Sequence, residues 1–122
     1  MLSRAVLLVA VTTALSPAEA QTLHKTPELL SRCRAVQEYR KYPDPSGVPA
    51  FSAVQCLAYL HGFVAALVYG PRGITCIPQQ VSGEQMAAVY VKWGDANPHE
   101  WHKDAWETVM KALVSEFPCR SE

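Results

Sequence analysis

The uncharged stretch at residues 56–70 constrains the fold of this chain more than any other feature. It starts at Cys56, ends at Gly70, contains no Asp, Glu, Lys or Arg, and carries apolar side chains on nearly every face of a helix. A helix that is hydrophobic all round has to be covered by its neighbours. We therefore predict a central helix that starts at about Ala53, with the other segments packed around it.

Four segments begin with a signal for a helix N-terminus, and their periodic apolar residues indicate four helices. No stretch shows sustained alternation of apolar and polar residues, so little β structure is expected. The predicted fold class is all-α: a compact up-and-down bundle of four main helices stapled by two disulfides. Gly62 and Ala66 form a strip of small residues where another helix would approach closely. The N-terminal signals are Thr26-Pro27, Ser52 with Gln55, Ser82 with Gln85, and Asn97-Pro98.

The first twenty residues have the pattern of a cleaved secretory signal peptide. Arg4 supplies the positive charge, residues 5–15 form a short apolar run, and Ala18-Glu19-Ala20 is a cleavage pattern. An apolar run of about eleven residues is shorter than the roughly twenty that span a bilayer. We predict export to the periplasm, cleavage after Ala20, one domain over residues 21–122 and no membrane association after cleavage. An N-terminal anchor helix is the alternative.

Four cysteines in a small exported chain indicate two disulfides. The Cys33 and Cys56 positions meet at one pole of an up-and-down bundle, and Cys76 and Cys119 meet at the other. A Cys56–Cys76 bridge would have to span most of the central helix, about 20 Å, whereas bridged Cα atoms lie about 4.4–6.8 Å apart. We therefore prefer Cys33–Cys56 and Cys76–Cys119. The cysteines form no C-x-x-C pair, which argues against a zinc site.

The chain carries no recognisable constellation for catalysis or cofactor binding. It has 11 basic and 11 acidic residues, a balance that gives no support to nucleic acid as a partner. With the thiols paired and no G-x-S-x-G turn, no nucleophile is apparent. His99 and His102 could share a helix face, but no third metal ligand is obvious. His61, inside the apolar stretch, is expected to be a buried histidine with a hydrogen-bond partner. We predict no enzyme activity, no metal and no cofactor.

The turn at Pro71, Arg72 and Gly73 is a candidate partner-binding loop. It lies between the uncharged helix and the Cys76 bridge, so it is held on both sides. A pre-organised loop loses less entropy when it binds another protein. A plain connector between two helices is the alternative interpretation.

An ordered set of motifs over nearly the whole mature chain resembles the Rap/Tai family of immunity proteins. The resemblance implies a small exported helical protein that binds and inhibits a peptidoglycan amidase effector of type VI secretion, acts as a homodimer and has no catalysis of its own. The matched residues are scaffold positions, so the resemblance assigns no contact residue. The motifs are Cys56-x-x-Tyr59-x-x-Gly62, Cys76-Ile77-Pro78, Val81 with Gln85, Asn97-Pro98 and Phe117-Pro118-Cys119.

A second hypothesis comes from a different functional class. Small disulfide-bonded periplasmic proteins of the acid-stress type bind unfolding clients through apolar surface. Protonation of the carboxylates and the four histidines would make this chain strongly cationic in acid, which is true of most proteins. The sequence alone therefore does not separate this chaperone-like alternative from immunity.

Overall fold

Four α-helices make up most of the residues that the computed structural model describes, which are 23–43, 46–70 and 73–120. No strand occurs in these ranges; a single isolated bridge joins Lys25 and Asp104. The all-α bundle of four main helices is confirmed. The predicted signal peptide at residues 1–20 lies outside the described residues. In chain order the elements are α1 Thr26–Lys41, α2 Val48–Tyr69, α3 Gly83–Ala96, a 3-10 turn Pro98–Glu100, and α4 Ala105–Glu116.

The central position belongs to α1, which packs against α2, α3 and α4. Its Leu29, Leu30 and Cys33 are fully buried and Val36 nearly so. These four residues lie on one stripe of the helix, so a narrow apolar face is enough to place α1 in the core. The prediction that the uncharged helix is central is wrong.

The uncharged helix, α2, covers the core with one side only. Ala53, Cys56 and Leu60 are buried, whereas Gly62 is exposed and a Cβ atom built on it would meet nothing within 4 Å. The expected close helix crossing at Gly62 is therefore wrong. Such a crossing does occur at Gly94, inside α3, where a Cβ atom would lie 2.5 Å from Cδ2 of the buried Leu30.

The start of α2 lies five residues before the predicted one. Gly47, the N-cap residue of α2, has φ 76°, a left-handed conformation that glycine adopts readily, and Pro49 sits in the first turn of the helix. Proline fits there because the N–H that it lacks has no helical partner at that position. Ser52 is therefore not an N-cap: it is buried inside α2, and its hydroxyl accepts a hydrogen bond from Arg32 at 3.0 Å.

The boundaries of the last two helices match the sequence signals in part. The Ser82–Gln85 capping box is confirmed, with Gln85 N–H donating to Ser82 Oγ at 3.2 Å and Ser82 N–H donating to Gln85 Oε1 at 2.8 Å. Gly94 neither ends nor loosens α3, which continues to Ala96. Pro98 opens only a 3-10 turn, and α4 starts at Ala105. The prediction that the fourth helix begins at Pro98 is wrong.

Both predicted disulfides are confirmed. The Cα atoms are 5.0 Å apart in Cys33–Cys56 and 4.9 Å apart in Cys76–Cys119. The first bridge joins α1 to α2 and is fully buried. The second joins the segment after α2 to the end of α4, and Cys76 is exposed there. The two bridges therefore differ in their access to solvent.

A chain of three buried hydroxyl groups ties the N-terminus of α1 to α3 and α4. Thr108 Oγ1 lies 2.9 Å from Thr26 Oγ1 and 2.9 Å from the Tyr90 hydroxyl, and Thr26 Oγ1 donates to the Lys103 carbonyl at 2.8 Å. Burial raises the pKa of the Tyr90 hydroxyl to about 12, and its polar neighbours Thr108 and Thr26 oppose that rise. All three side chains are fully buried.

Candidate protein-binding surface

An exposed apolar stripe runs along the side of α2 that faces away from the core. Its members are spaced alternately by three and four residues, the spacing that keeps side chains on one face of a helix. Phe51, Val54 and Val68 expose 65%, 60% and 67% of their surface, and the neighbouring Tyr69 exposes 91%. We refer to the stripe as the α2 seam; it consists of Phe51, Val54, Ala58, His61, Ala65 and Val68.

The seam lies on a helix that has no acidic residue, no lysine and no arginine among its 22 residues. Ion pairs occur instead between α1 and α3. Arg34 pairs with Asp95 at 2.6 Å, and Arg40 pairs with Glu84 at 2.8 Å. A contiguous apolar patch within an otherwise charged surface is typical of a protein or membrane contact.

By length and composition alone, α2 could also cross a membrane between Pro49 and Tyr69. Its other face, however, is packed on the core, and the Cys33–Cys56 bridge fixes its N-terminal half to α1. Length and hydropathy therefore do not make this helix a membrane span. The feature that remains is its exposed face.

A groove of about 360 Å³ continues from the C-terminal half of the seam. One wall belongs to α2 and the other to the segment at residues 75–81. His61 and Val68 belong both to the seam and to the groove. The other apolar lining residues are Val64, Leu67, Ile77, Pro78, Val81 and Met86. The groove is therefore an apolar extension of the seam.

The segment that forms the outer wall of the groove is fixed to the end of α4. Gly73 has φ 87°, a conformation that a residue with a side chain rarely adopts. Beyond it, Cys76 N–H donates to the Phe117 carbonyl at 2.9 Å, and Thr75 Oγ1 lies 2.9 Å from the same oxygen. Pro71 and Arg72, the other members of the candidate loop, lie outside the described residues.

The exposed Cys76–Cys119 bridge should be reduced before the buried one. A thiolate reductant must reach a sulfur atom, and Cys33 and Cys56 expose none of their surface. We expect mild treatment with a dithiol in native buffer, followed by alkylation and peptide mapping, to label Cys76 and Cys119 while the other pair stays intact. Equal labelling of all four cysteines would contradict this difference in accessibility.

A second cavity, of about 390 Å³, lies beside the N-terminus of α1. Its charged walls, Lys25 and Asp104, form an ion pair at 2.6 Å. The hydrogen bond between them lowers the pKa of Asp104 and raises that of Lys25. Tyr59 also lines the cavity and stacks on Phe63, with ring centroids 6.5 Å apart. Because the carboxylate and the ammonium group are already paired, neither is poised as a general base or acid.

His99 and His102, the two histidines that the sequence offered as metal ligands, do not belong to a cluster of metal-binding side chains. His99 and His102 are exposed in the turns before α4 rather than on one face of a helix. Nearby Glu100 accepts hydrogen bonds from Lys103 at 2.8 Å and from Lys111 at 2.5 Å, which hold the pKa of Glu100 at about 2. No group of three or more His, Cys, Asp and Glu residues in the described part of the chain is arranged to bind a metal.

His61 is exposed on the seam rather than buried, so the expectation for this residue is wrong. Its Nε2 lies 2.8 Å from the position that a Cβ atom on Gly83 would take. The absence of a side chain at Gly83 therefore leaves room for the imidazole at the N-terminus of α3. His61 helps to join the seam to α3.

The scaffold motif positions are spread over the domain and form no common site. Tyr59 is half-buried against the core, whereas Gly62, Pro78 and Pro118 are exposed. Gln85 forms the capping box of α3, and Pro98 opens the 3-10 turn. The seam was not predicted from the sequence. The only sequence feature that marks the seam is the alternating spacing of three and four from Phe51 to Val68. This spacing cannot be distinguished in the sequence, because almost all of the remaining positions of α2 are apolar as well.

The fold and this surface define a small disulfide-bonded helical domain whose most conspicuous exposed feature suits contact with another macromolecule. Residues 25–119 match the family of Rap1a immunity proteins. The chain belongs to that family. No curated protein and no solved structure matches it. Membership of an immunity protein family implies that the chain acts by binding an effector protein.

Proposed function

We propose that this protein is a periplasmic immunity protein that binds and inhibits a peptidoglycan amidase effector of type VI secretion. The observation that carries the proposal is the family match over residues 25–119, which covers all four helices and both disulfides. The signal pattern at residues 1–20 supports export to the periplasm. The protein has no catalysis of its own in this proposal and acts as a homodimer.

The segment between α2 and α3 is the element that we propose to enter the effector. It is attached to α4 by the Cys76–Cys119 bridge and by the hydrogen bond from Cys76 N–H to the Phe117 carbonyl. Arg72 supplies the cation of this segment. Attachment of a segment before it binds reduces the conformational entropy that is lost on association.

The test has two steps: to determine whether a gene adjacent to that of this protein encodes a secreted amidase, and to measure inhibition of that amidase by this protein. We expect the purified, disulfide-bonded chain to abolish peptidoglycan cleavage at a stoichiometric ratio. An Arg72→Ala variant should bind the amidase at least about tenfold more weakly, a loss of about 1.4 kcal/mol. Arg40→Ala is the matched control, because the Arg40 pair with Glu84 is exposed and contributes little.

The chaperone-like function is a second candidate, favoured by the apolar surface that α2 exposes. It predicts that the protein suppresses aggregation of unrelated unfolded proteins at acid pH. If the chain binds no neighbouring amidase and yet suppresses such aggregation, the immunity proposal is wrong. Full affinity of Arg72→Ala would remove only the loop from the proposal.

A further inference from the structure

We propose that the cavity beside the N-terminus of α1 binds a neutral, N-acetylated sugar unit of a glycan. This is a second binding activity, separate from the segment that is proposed to enter the effector. The cavity has a volume of about 390 Å³, which lies within the range of about 300–1,000 Å³ for small-molecule sites. The described residues that line it each carry an aromatic ring or an ionisable group: His24, Lys25, Tyr59, Asp104 and Trp106.

Trp106 supplies an exposed aromatic ring at the edge of the cavity. It is the second residue of α4, it exposes 55% of its surface, and its indole N–H donates to none of the residues that the structure describes. The other tryptophans are engaged, since Trp101 Nε1–H donates to the Gly94 carbonyl at 2.9 Å and Trp93 packs against the core. The C–H groups on one side of a pyranose form an apolar face that packs flat on an aromatic ring. Trp106 is therefore suited to stack on a sugar.

Tyr59 supplies a hydroxyl group from the opposite element, α2. Its ring packs against the core and lies parallel to the ring of Phe63, so its position is fixed. Within the described part of the chain, the Tyr59 hydroxyl has no hydrogen-bond partner. Burial, and next to it the negative charge of Asp104, raises the pKa of Tyr59, so the hydroxyl stays protonated. It can therefore donate a hydrogen bond to a sugar oxygen.

The ion pair in the cavity wall favours a neutral ligand that both donates and accepts hydrogen bonds. Lys25 Nζ lies 2.6 Å from Asp104 Oδ1, so the two charges cancel. An ammonium group has three donors and a carboxylate has two acceptor oxygens, so both partners keep capacity for a ligand. The acetamido group of an N-acetylated sugar has one N–H and one C=O, which complement a carboxylate and an ammonium group that lie side by side.

Backbone hydrogen bonds between the starts of two helices fix the walls of the cavity. Ala105 N–H donates to the His24 carbonyl at 2.7 Å, and Thr26 N–H donates to the Lys103 carbonyl at 3.2 Å. The N-terminus of α1 and the first turn of α4 are therefore joined before any ligand binds. A pre-organised site loses less conformational entropy on binding.

The glycan strand of peptidoglycan is the polymer that we assign to this cavity. It consists of N-acetylated sugars and is present in the periplasm, where the proposed function places this protein. This assignment rests on the proposed function, whereas recognition of the sugar rests on the cavity alone. Attachment to the glycan strand would raise the concentration of the protein at the polymer that the effector cleaves.

Recognition of the sugar is tested by an NMR titration of the disulfide-bonded chain with tri-N-acetylchitotriose. We expect the indole N–H signal of Trp106 to shift until it saturates, with a dissociation constant on the order of millimolar, as for a small ligand with few contacts. The indole signal of Trp101, which is bonded to the Gly94 carbonyl, should stay in place. No saturable shift up to about 20 mM ligand would overturn the proposal.

Variants at position 106 separate stacking on a ring from general apolar contact. Trp106→Leu keeps an apolar side chain but has no ring, and it should weaken binding about tenfold, measured on the amide signals of residues 104–106. Trp106→Tyr should retain most of the affinity. Tyr42→Leu is the matched control, because Tyr42 exposes 70% of its surface at the end of α1, away from the cavity. Unchanged affinity in Trp106→Leu would overturn the proposal.

Co-sedimentation with purified peptidoglycan sacculi distinguishes the polymer from a free oligosaccharide. We expect the chain to sediment with the sacculi and tri-N-acetylchitotriose to release it. Binding of the oligosaccharide without binding of sacculi would overturn the assignment to peptidoglycan. If Trp106→Leu affects only inhibition of the amidase, the cavity contacts the effector and the sugar proposal is wrong. Sugar binding by a chain that inhibits no amidase would contradict the proposed function and leave the sugar site intact.

Discussion

Removal of the Cys33–Cys56 bridge by the double substitution Cys33→Ala and Cys56→Ala is expected to lower the free energy of unfolding by about 4–5 kcal/mol. The bridge closes a loop with a sequence separation of 23, for which chain entropy predicts about 3 kcal/mol. Both sulfur atoms are fully buried, so their loss also leaves space in the core at a cost of about 1–2 kcal/mol. A small domain has only about 5–15 kcal/mol in total.

The control is the double substitution Cys76→Ala and Cys119→Ala, measured in the same denaturant titration by circular dichroism. Its separation of 43 predicts about 4 kcal/mol from chain entropy alone, which would make it the more stabilising bridge. Because Cys76 is exposed, its removal adds no comparable loss of packing. We therefore expect removal of the buried bridge to lower the free energy of unfolding more than removal of the exposed bridge. A larger decrease in the Cys76→Ala and Cys119→Ala variant would show that chain entropy, rather than packing, decides the order.

Both disulfides could be predicted from the sequence because they depend on quantities that the sequence contains. Ser82 with Gln85 correctly marks the start of α3, although the starts predicted at Ala53 and Pro98 are wrong. The length of a helix follows from its rise per residue. A bridge between Cys56 and Cys76 was excluded by that length alone. That exclusion removes one of the three connectivities, and the predicted up-and-down topology, which places Cys33 near Cys56 and Cys76 near Cys119, favours the pairing that is confirmed.

The position of α2 could not be predicted, because apolar composition indicates only that burial of the helix surface is favourable. It does not indicate whether the same chain or another molecule covers that surface. α2 is apolar on every face and yet lies at the periphery, whereas α1 is amphipathic and central. The difference arises from tertiary packing, in which Leu30 of α1 meets Gly94 of α3 at close range.

The candidate binding surface could be predicted only in part, because the sequence does not indicate which side of a helix the fold leaves exposed. The loop at Pro71–Gly73 was identified from turn-forming residues and from its proximity to Cys76, and only its Gly73 end is described. The α2 seam has no distinctive residue types, only a spacing that is visible once the covered side of the helix is known. Exposure of Phe51 and Val68 is a property of the fold, so the sequence of α2 by itself does not contain it.

Thr108→Val is expected to destabilise the domain by about 3 kcal/mol, although valine keeps nearly the same shape. Thr108 is the middle member of the hydroxyl chain, within 2.9 Å of both Thr26 Oγ1 and the Tyr90 hydroxyl. One proton assignment satisfies the chain: Tyr90 donates to Thr108, Thr108 to Thr26, and Thr26 to the Lys103 carbonyl. Without Thr108, two fully buried hydroxyl groups each lose a partner, at about 1–3 kcal/mol per group.

A double-mutant cycle with Tyr90→Phe separates the loss of hydrogen bonds from a change in packing. Tyr90→Phe leaves Thr108 able to donate to Thr26 or to the Ala105 carbonyl at 3.1 Å, so its cost should be smaller. Once Thr108 is valine, the Tyr90 hydroxyl is an unsatisfied donor, and its removal should restore stability. We expect the double variant to be no less stable than Thr108→Val alone. Strict additivity of the two costs would contradict a connected chain.

Alkaline titration gives an independent measurement on the same chain. The pKa of Tyr90 in the folded protein is raised to about 12, from an ordinary value of 10.0. A folded-state pKa above the unfolded value means that burial of the neutral phenol stabilises the domain below pH 10.0 and that this contribution is lost as the pH rises toward about 12. The free energy of unfolding should therefore fall more steeply over this interval in the wild type than in Tyr90→Phe. Equal slopes would show that Tyr90 ionises as freely in the folded protein as in the unfolded chain.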